Sequence, residues 1–166
     1  MVIKRNILSR LEEWKNTADR SPLIIQGARQ IGKSWAVEEF GRTHYKYTAV
    51  FNFDKQHELK GVFERTKDIK RILGELELFS SVPLVEGETL IFFDEIQECK
   101  AALNSLKYFK EDAPGYHIIA AGSLLGVAVN RKGENDTFPV GKRSFLQMYP
   151  VTFREYLHMS DGQLLE

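Results

Sequence analysis

Residues 27–34 read Gly27-Ala28-Arg29-Gln30-Ile31-Gly32-Lys33-Ser34, which satisfies the G-x-x-x-x-G-K-S/T pattern of a Walker A phosphate-binding loop. The apolar run Leu23-Ile24-Ile25 precedes it, and residues 35–40 read as a helix ended by Gly41. Glycine at the first and sixth positions lets the backbone bend sharply and approach phosphates closely. The stretch therefore predicts a strand, a phosphate loop and a helix; the alternative is an ordinary glycine-containing turn that a lysine follows by chance.

Each residue type in this loop has a chemical use. The amides from Gly27 to Ser34 are expected to point at an anion on a helix N-terminus. Lys33 would reach the β- and γ-phosphates, and the Ser34 hydroxyl would bind Mg²⁺. The amide of Trp35 would face the α-phosphate, whereas its ring is expected to pack on the helix rather than stack on adenine. ATP or ADP with Mg²⁺ is the predicted ligand.

Composition bounds the class of protein. The 166 residues suffice for one domain with a sizeable core, and 43% apolar with 28% charged residues is typical of a soluble globular protein. Lys+Arg and Asp+Glu both number 23, so no net charge favours nucleic acid or an anionic membrane. Cys99 is the single cysteine, which excludes an internal disulfide and fits the cytosol. The N-terminus lacks a signal-peptide core, and the longest apolar run, 118–129, is too short to span a bilayer.

Hydrophobic periodicity predicts alternating helices and strands. Helices are expected near residues 5–18, with Trp14 in the core, over Asp68–Ser81, and around Leu103–Phe109, closed by Pro114-Gly115. Strands are expected at 23–25, 48–53, 89–94, 117–121 and 144–149. Because the strands are apolar throughout, they predict a mainly parallel sheet with helices on both faces, an α/β three-layer αβα sandwich. Residues 130–142 read as an exposed loop, and Thr152 as the cap of a short helix through Leu157.

A second motif follows the third strand. The apolar run Leu90-Ile91-Phe92-Phe93 ends in Asp94 and Glu95, as in a Walker B strand, whose aspartate holds the Mg²⁺ of a bound nucleotide. Both motifs would then lie at the carboxyl edge of the sheet. Glu95 could accept a proton from the attacking water, which a hydrolase needs and a nucleotide carrier does not. The alternative is a pair of solvated acids at a strand end.

Two further polar residues, Ser123 and Gln97, are candidate site residues. Ser123 follows the fourth strand, where a hydroxyl could touch the γ-phosphate or the attacking water; a helix-capping serine is an almost equal alternative. Gln97 could orient that water or relay nucleotide state to the next helix. The four histidines show no metal-ligand spacing.

The strings GARQIGKS, LIFFDEIQ, AAGSLL and FPVGKRSFLQMYPVTFREYL together resemble the prokaryotic AAA-type ATPase domain family that usually carries a C-terminal domain of unknown function. The resemblance implies a P-loop NTPase fold of the ASCE type with sheet order 5-1-4-3-2. It also implies that Lys33 and Ser34 are Walker A residues, Asp94 and Glu95 the Walker B pair, and Ser123 the sensor residue. Arg143 departs from the aliphatic residue expected after the PVGK string. The usual C-terminal domain is absent, so residues 1–166 are interpreted as an ATPase domain fragment or a truncated member.

These observations favour Mg²⁺-dependent ATP binding and hydrolysis coupled to an unknown macromolecule. A nucleotide-gated switch with negligible turnover is the alternative. A third possibility is a DNA-directed motor or a defence component whose effector is the missing domain, and the balanced charge gives it no direct support. No arginine finger is evident in the two motifs. Arg29 is expected to point to solvent, so Arg143 is the first choice, ahead of Lys142 and Arg154, for a cation given to a neighbouring subunit of a homo-oligomer or used with the missing domain.

Overall fold

A five-stranded parallel sheet forms the centre of the computed structural model, which describes residues 6–123 and 144–150. The strands are β1 (Leu23–Gln26), β2 (Tyr47–Asn52), β3 (Thr89–Asp94), β4 (His117–Gly122) and β5 (Ser144–Gln147). Their order is β2-β3-β4-β1-β5, which is the predicted order 5-1-4-3-2 read from the opposite edge. β4 therefore lies between the strand that leads into the phosphate loop and the strand that ends in Asp94.

Helices cover both faces of the sheet, which confirms the three-layer α/β architecture. They are α1 (Asn6–Lys15), α2 (Lys33–His44), α3 (Glu58–Arg65), α4 (Ile69–Phe79) and α5 (Lys100–Asp112), with a 3₁₀ turn at Ile96–Glu98. α1 and α2 pack on one face, where Trp14 is buried as predicted, and α3, α4 and α5 pack on the other. Neighbouring strand residues alternate between the two cores: Phe92 faces α1 and α2, whereas Phe93 faces α3 to α5. Every residue of β3 and β4 is buried, as their apolar sequences require.

One helical expectation needs correction, and one helix was not expected from the sequence. Gly41 does not end its helix, because α2 continues to His44. A Cβ on Gly41 would lie 2.3 Å from Thr48 Oγ1, so glycine is needed there for the close approach of α2 to β2. α3 was not predicted, although Leu59, Val62 and Phe63 have the spacing of a buried helical face. The helix expected over Asp68–Ser81 is confirmed as α4.

Aromatic side chains hold the end of β3 in place. The ring of Phe93 lies 5.6–6.1 Å from the rings of Phe51, Phe53, Phe63 and Phe109, which come from β2, the loop after it, α3 and α5. Tilted and edge-to-face pairs of this kind stabilise a core beyond the area that they bury. The carboxylates that follow Phe93 are therefore carried by a rigid part of the core.

A polar network lies at the opposite, amino end of β4. His117 Nε2 contacts an Arg20 guanidinium nitrogen, and His117 Nδ1 lies 2.7 Å from Tyr45 Oη. Because a guanidinium can only donate, Nε2 accepts, and Nδ1 carries the proton of a neutral imidazole and donates to the tyrosine oxygen. Burial, and then the charges of Arg20 and Lys15, lower the pKa of His117 to about 4. The network thus requires a neutral histidine, which Trp14 contacts edge-on.

The C-terminal part of the chain is described only over residues 144–150. β5 confirms the last predicted strand but ends at Gln147 rather than at Tyr149. The expected loop at 130–142, the expected helix from Thr152 to Leu157, and the residues Lys142, Arg143 and Arg154 lie outside the described residues. Within residues 6–123 and 144–150, no helix has the length and apolar character needed to cross a membrane.

Candidate functional site

The phosphate loop joins β1 to α2 through two residues with positive φ. Gln30 has φ 60°, and Gly32, directly before α2, has φ 88° and ψ 26°. Left-handed backbone is easy for glycine and costly for most other residues, so the sixth position of the motif suits glycine here. α2 then begins at Lys33, which places the loop on a helix N-terminus as the sequence predicted.

Gly27 has a structural role besides the predicted approach to phosphate. A Cβ at this position would lie 2.5 Å from the carbonyl oxygen of Met148 and 2.6 Å from Ile31 Cδ1. The amide of Met148 donates to the carbonyl of Gln26 at 2.7 Å, directly before the loop. The start of the loop is therefore packed against the chain that follows β5, and only glycine fits there.

Lys33 lies inside the loop with its amine enclosed. The residue is 7% exposed, and its Nζ donates to the carbonyl oxygens of Gly27, at 2.9 Å, and Ala28. Burial lowers the pKa of Lys33, the charges of Glu95 and Asp94 oppose that shift, and Arg29 adds to it. The amine of Lys33 is thus held by two loop carbonyls and is influenced by the charges of Glu95 and Asp94.

Ser34 and Asp94 meet directly. The Ser34 hydroxyl donates to Asp94 Oδ2 at 2.8 Å, although the two residues lie 60 positions apart in the chain. Asp94 is 7% exposed, and its Oδ1 accepts the Glu95 amide at 3.0 Å. Burial raises the pKa of Asp94, and the charge of Glu95 adds to this, whereas the Ser34 hydrogen bond lowers it. A buried carboxylate of this kind gains from a nearby cation.

The donor set of this pair fits Mg²⁺. Magnesium takes oxygen ligands, commonly one or two from protein, with water and substrate phosphates completing the shell. The Ser34 hydroxyl and the Asp94 carboxylate supply such oxygens side by side, at the start of α2. Residues 6–123 and 144–150 contain no cluster of three or more His, Cys, Asp or Glu that could hold a metal on its own. Two protein oxygens would leave the rest of a magnesium shell to water and phosphate.

Glu95 stands at the turn between β3 and α5. Its backbone is left-handed, with φ 53° and ψ 45°, which is uncommon for a residue with a side chain. The Gln97 side-chain amide donates to Glu95 Oε2, and Gln97 Oε1 is buried without a partner among the described residues. The carboxylate is half-buried beside Asp94 rather than free in solvent, which disfavours the interpretation of two solvated acids.

Ser123 directly follows β4, between the two motifs, and is 2% exposed. The Nε of Arg29 donates to its hydroxyl at 3.4 Å. Arg29 is exposed, as expected, but it does not simply point to solvent, because it joins the phosphate loop to the predicted sensor residue. Sequence reasoning missed this contact, since it links side chains from two different loops.

Trp35 and Asn52 add detail at the rim of the site. Trp35 is 42% exposed and borders a surface groove of about 470 Å³ together with Val50 of β2, so it does not pack in the core.

Asn52 Nδ2 lies 3.5 Å from Asp94 Oδ2, since the two residues pair in register across β2 and β3. Asn52 was not predicted as a site residue, although a polar residue at the carboxyl end of a parallel strand indicates that it lies near a ligand site.

A family model described as an AAA domain matches residues 19–157. Among solved structures, the Aeropyrum pernix ORC1 protein in complex with DNA is similar at 13% identity with a TM-score of 0.52, over 94% of this chain and 48% of that chain. PCH-2 from C. elegans is similar at 13% identity with a TM-score of 0.44, over 95% of this chain and 44% of that chain. The chain thus spans about half the length of these proteins. No curated protein sequence matches it.

The likeness to the ORC1 protein concerns the fold alone, because the sequence identity is low. The family match covers most of the chain and includes the phosphate loop, the Asp94-Glu95 pair and Ser123, all of which lie at the carboxyl edge of the sheet. The chain belongs to the AAA domain family of P-loop, ATPase-type nucleotide-binding domains.

Proposed function

We propose that this domain binds ATP together with Mg²⁺ and hydrolyses the bond to the γ-phosphate. Hydrolysis would be coupled to an unidentified macromolecular partner. One observation carries the proposal: the Ser34 hydroxyl lies 2.8 Å from Asp94 Oδ2, with Lys33 buried beside it and Glu95 next along the chain. Hydroxyl, carboxylate, ammonium and a second carboxylate are the groups that phosphoryl transfer to water uses.

Each of these residues has a separate task. The loop amides between Gly27 and Ser34 bind phosphate oxygens, and Lys33 exchanges its two carbonyl partners for phosphate oxygens. Ser34 and Asp94 would hold Mg²⁺, which neutralises charge on the phosphates when bound. Ser123 and Arg29 would bind at the γ-phosphate end of the site, where β4 ends between the two motifs.

Glu95 would be the general base. It follows the metal ligand directly, and a carboxylate at this place can take a proton from water as the water attacks phosphorus. If the domain is instead a nucleotide-gated switch, Lys33, Ser34 and Asp94 would still be needed, whereas Glu95 would not. The two functions therefore differ in one testable residue.

Nucleotide binding is tested by thermal unfolding with ADP or ATP, with and without Mg²⁺. Ligand at 100 times its Kd stabilises a fold by about 2.7 kcal/mol, which for this size raises Tm by roughly 5–10 °C. Lys33→Ala should remove the shift. Lys46→Ala, at an exposed lysine at the amino end of β2, should keep it and serves as the matched control. A wild-type protein with no shift at millimolar nucleotide would refute binding.

Hydrolysis is tested by Glu95→Gln, which keeps the size and polarity of the side chain but cannot accept the proton. Turnover should fall by roughly 10²–10⁴-fold while nucleotide binding persists. Glu98→Gln, at an exposed glutamate in the same turn, is the control and should hydrolyse ATP at the wild-type rate. Equal, slow turnover by wild type and Glu95→Gln would favour the switch over the enzyme.

The partner and the compartment are also proposals. We place the domain in the cytoplasm, since its one cysteine, Cys99, is a buried free thiol. The partner would be a second copy of the chain or a separate effector domain. The balanced charge, with 23 basic and 23 acidic residues, gives nucleic acid no general electrostatic attraction.

A further inference from the structure

We infer that Gln97 is a positioning residue for Glu95: its side-chain amide holds the carboxylate in the orientation from which a water proton is taken. The inference rests on the proposed role of Glu95 as general base. It adds a second residue from the same turn to the chemistry and gives that residue a task distinct from binding nucleotide.

The backbone between Asp94 and Cys99 fixes where both side chains start. Asp94 Oδ1 accepts the Glu95 amide at 3.0 Å, and the Glu95 carbonyl accepts the Glu98 amide at 3.1 Å. Ile96 is fully buried and Cys99 is 3% exposed, so the turn is anchored in the core on both sides of Gln97. The left-handed conformation of Glu95 is thus held by its surroundings, and uncommon backbone held in this way is concentrated at functional sites.

The Gln97 amide has one favourable orientation. Its Nε2 faces Glu95 Oε2 and donates to it, whereas the flipped amide would place two acceptor oxygens against each other. In the favourable orientation, Oε1 is buried and has no hydrogen-bond partner among residues 6–123 and 144–150. An unsatisfied buried acceptor is unfavourable, and a glutamine turned to solvent would avoid it. Gln97 therefore keeps its hydrogen bond to Glu95, although its own Oε1 has no partner among the described residues.

A neutral amide suits this task better than a cation would. It restricts rotation of the carboxylate through Oε2 but leaves the negative charge in place and the other oxygen available to a water. Lys33 does not perform this task, because its amine donates to the carbonyls of Gly27 and Ala28 and, in the proposed function, to phosphate oxygens once nucleotide is bound. A base that is itself oriented by a third group is a common arrangement in catalysis.

Gln97→Met tests the inference, since methionine keeps the volume of the side chain but donates no hydrogen bond. We expect kcat for ATP hydrolysis to fall roughly 10- to 100-fold, with the Kd for ADP within twofold of wild type and an unchanged Tm. Gln97→Glu, which cannot donate when ionised, should show the same loss. On a Glu95→Gln background, Gln97→Met should cause no further loss, because the base that it orients is already gone.

A second readout does not depend on turnover. The side-chain amide resonance of Gln97, assigned through bonds to its backbone, should shift in Glu95→Ala and stay in place in Glu98→Gln. No shift in Glu95→Ala would overturn the inference even if Gln97→Met failed to fold.

The outcomes separate this inference from the proposed function. If Glu95→Gln abolishes hydrolysis while Gln97→Met hydrolyses at the wild-type rate, the positioning role is wrong and the ATPase proposal stands. If Gln97→Met lowers Tm or weakens ADP binding in step with kcat, Gln97 is merely structural and the positioning role is likewise wrong. If Glu95→Gln hydrolyses as wild type does, both proposals fall.

Discussion

Mild acid should destabilise this protein through a single buried histidine. Arg20 donates to His117 Nε2, and the imidazole in turn donates to Tyr45, so the network accommodates only the neutral ring. Protonation would place a charge against the Arg20 guanidinium, with the Lys15 ammonium nearby, in a site that is 9% exposed. The perturbation is a change of pH from 7 to 4, and the quantity that it changes is the free energy of unfolding.

The magnitude follows from the pKa difference between the folded and unfolded chain. The pKa of His117 is about 4 in the fold and 6.5 in the unfolded chain, and each unit corresponds to about 1.36 kcal/mol. Between these values the unfolded chain binds more protons, so stability falls as pH falls through this window and is fully present above it. The loss amounts to about 3 kcal/mol, a large part of the 5–15 kcal/mol typical of a domain.

Urea unfolding at half-unit steps from pH 7 to pH 4 measures this loss, with His117→Gln as the control. Glutamine can still accept a hydrogen bond from Arg20 but does not titrate in this range. Asp94 has a raised pKa and therefore contributes in the opposite direction, but it does so equally in both proteins. The difference between wild type and His117→Gln should change by about 3 kcal/mol over this range. A constant difference would refute the assignment of a neutral, charge-excluding His117.

Two further predictions concern the helix α2 and the source of the catalytic cation. Gly41→Ala should destabilise the fold by about 1–2 kcal/mol, because its Cβ would lie 2.3 Å from Thr48 Oγ1 and 2.8 Å from Thr48 Cγ2. In a Thr48→Ala background only the Cβ of residue 48, at 3.1 Å, remains close, so the cost should shrink. Urea unfolding that shows an undiminished cost would contradict the packing argument. We also propose that Arg143 supplies a cation to the site of a neighbouring copy. ATPase activity per molecule should then rise with protein concentration, by up to roughly 10³–10⁵-fold, and Arg143→Ala should abolish the rise. Arg29→Ala, which removes the contact with Ser123, should lower turnover at every concentration and leave the rise intact. Fast turnover that is independent of concentration and unchanged by Arg143→Ala would rule out the finger in trans.

Much of the fold could be read from the sequence because parallel strands that are buried on both faces are apolar throughout. β3 and β4 are such strands; β3 ends in Asp94 and β4 is followed directly by Ser123, both candidate site residues. A short motif also specifies its own local geometry, which is why the loop after β1 and the start of α2 were predictable. Sheet order came from a family resemblance, since local pattern does not encode which strands pair.

The features that were missed depend on contacts between distant residues. Gly41 has the local signature of a helix end, but its role is set by Thr48 on another element. The hydrogen bond between Arg29 and Ser123 joins two loops 94 positions apart, so the local sequence around either residue does not predict it. Asn52 reaches Asp94 only because β2 and β3 pair in that register. Tertiary geometry, rather than residue preference, decides such cases.

The packing of Gly27 against Met148 has a mechanical consequence. The carbonyl of Met148 leaves no room for a Cβ on the first residue of the phosphate loop, and the amide of Met148 is bonded to Gln26. Tension applied to the chain just after β5 would therefore reach the phosphate loop through Met148, whose side chain is itself buried in the core beside α1 and α2. In the other direction, a displacement of the loop would move Met148 directly. The end of β5 would thus couple nucleotide binding to the position of the residues that follow it.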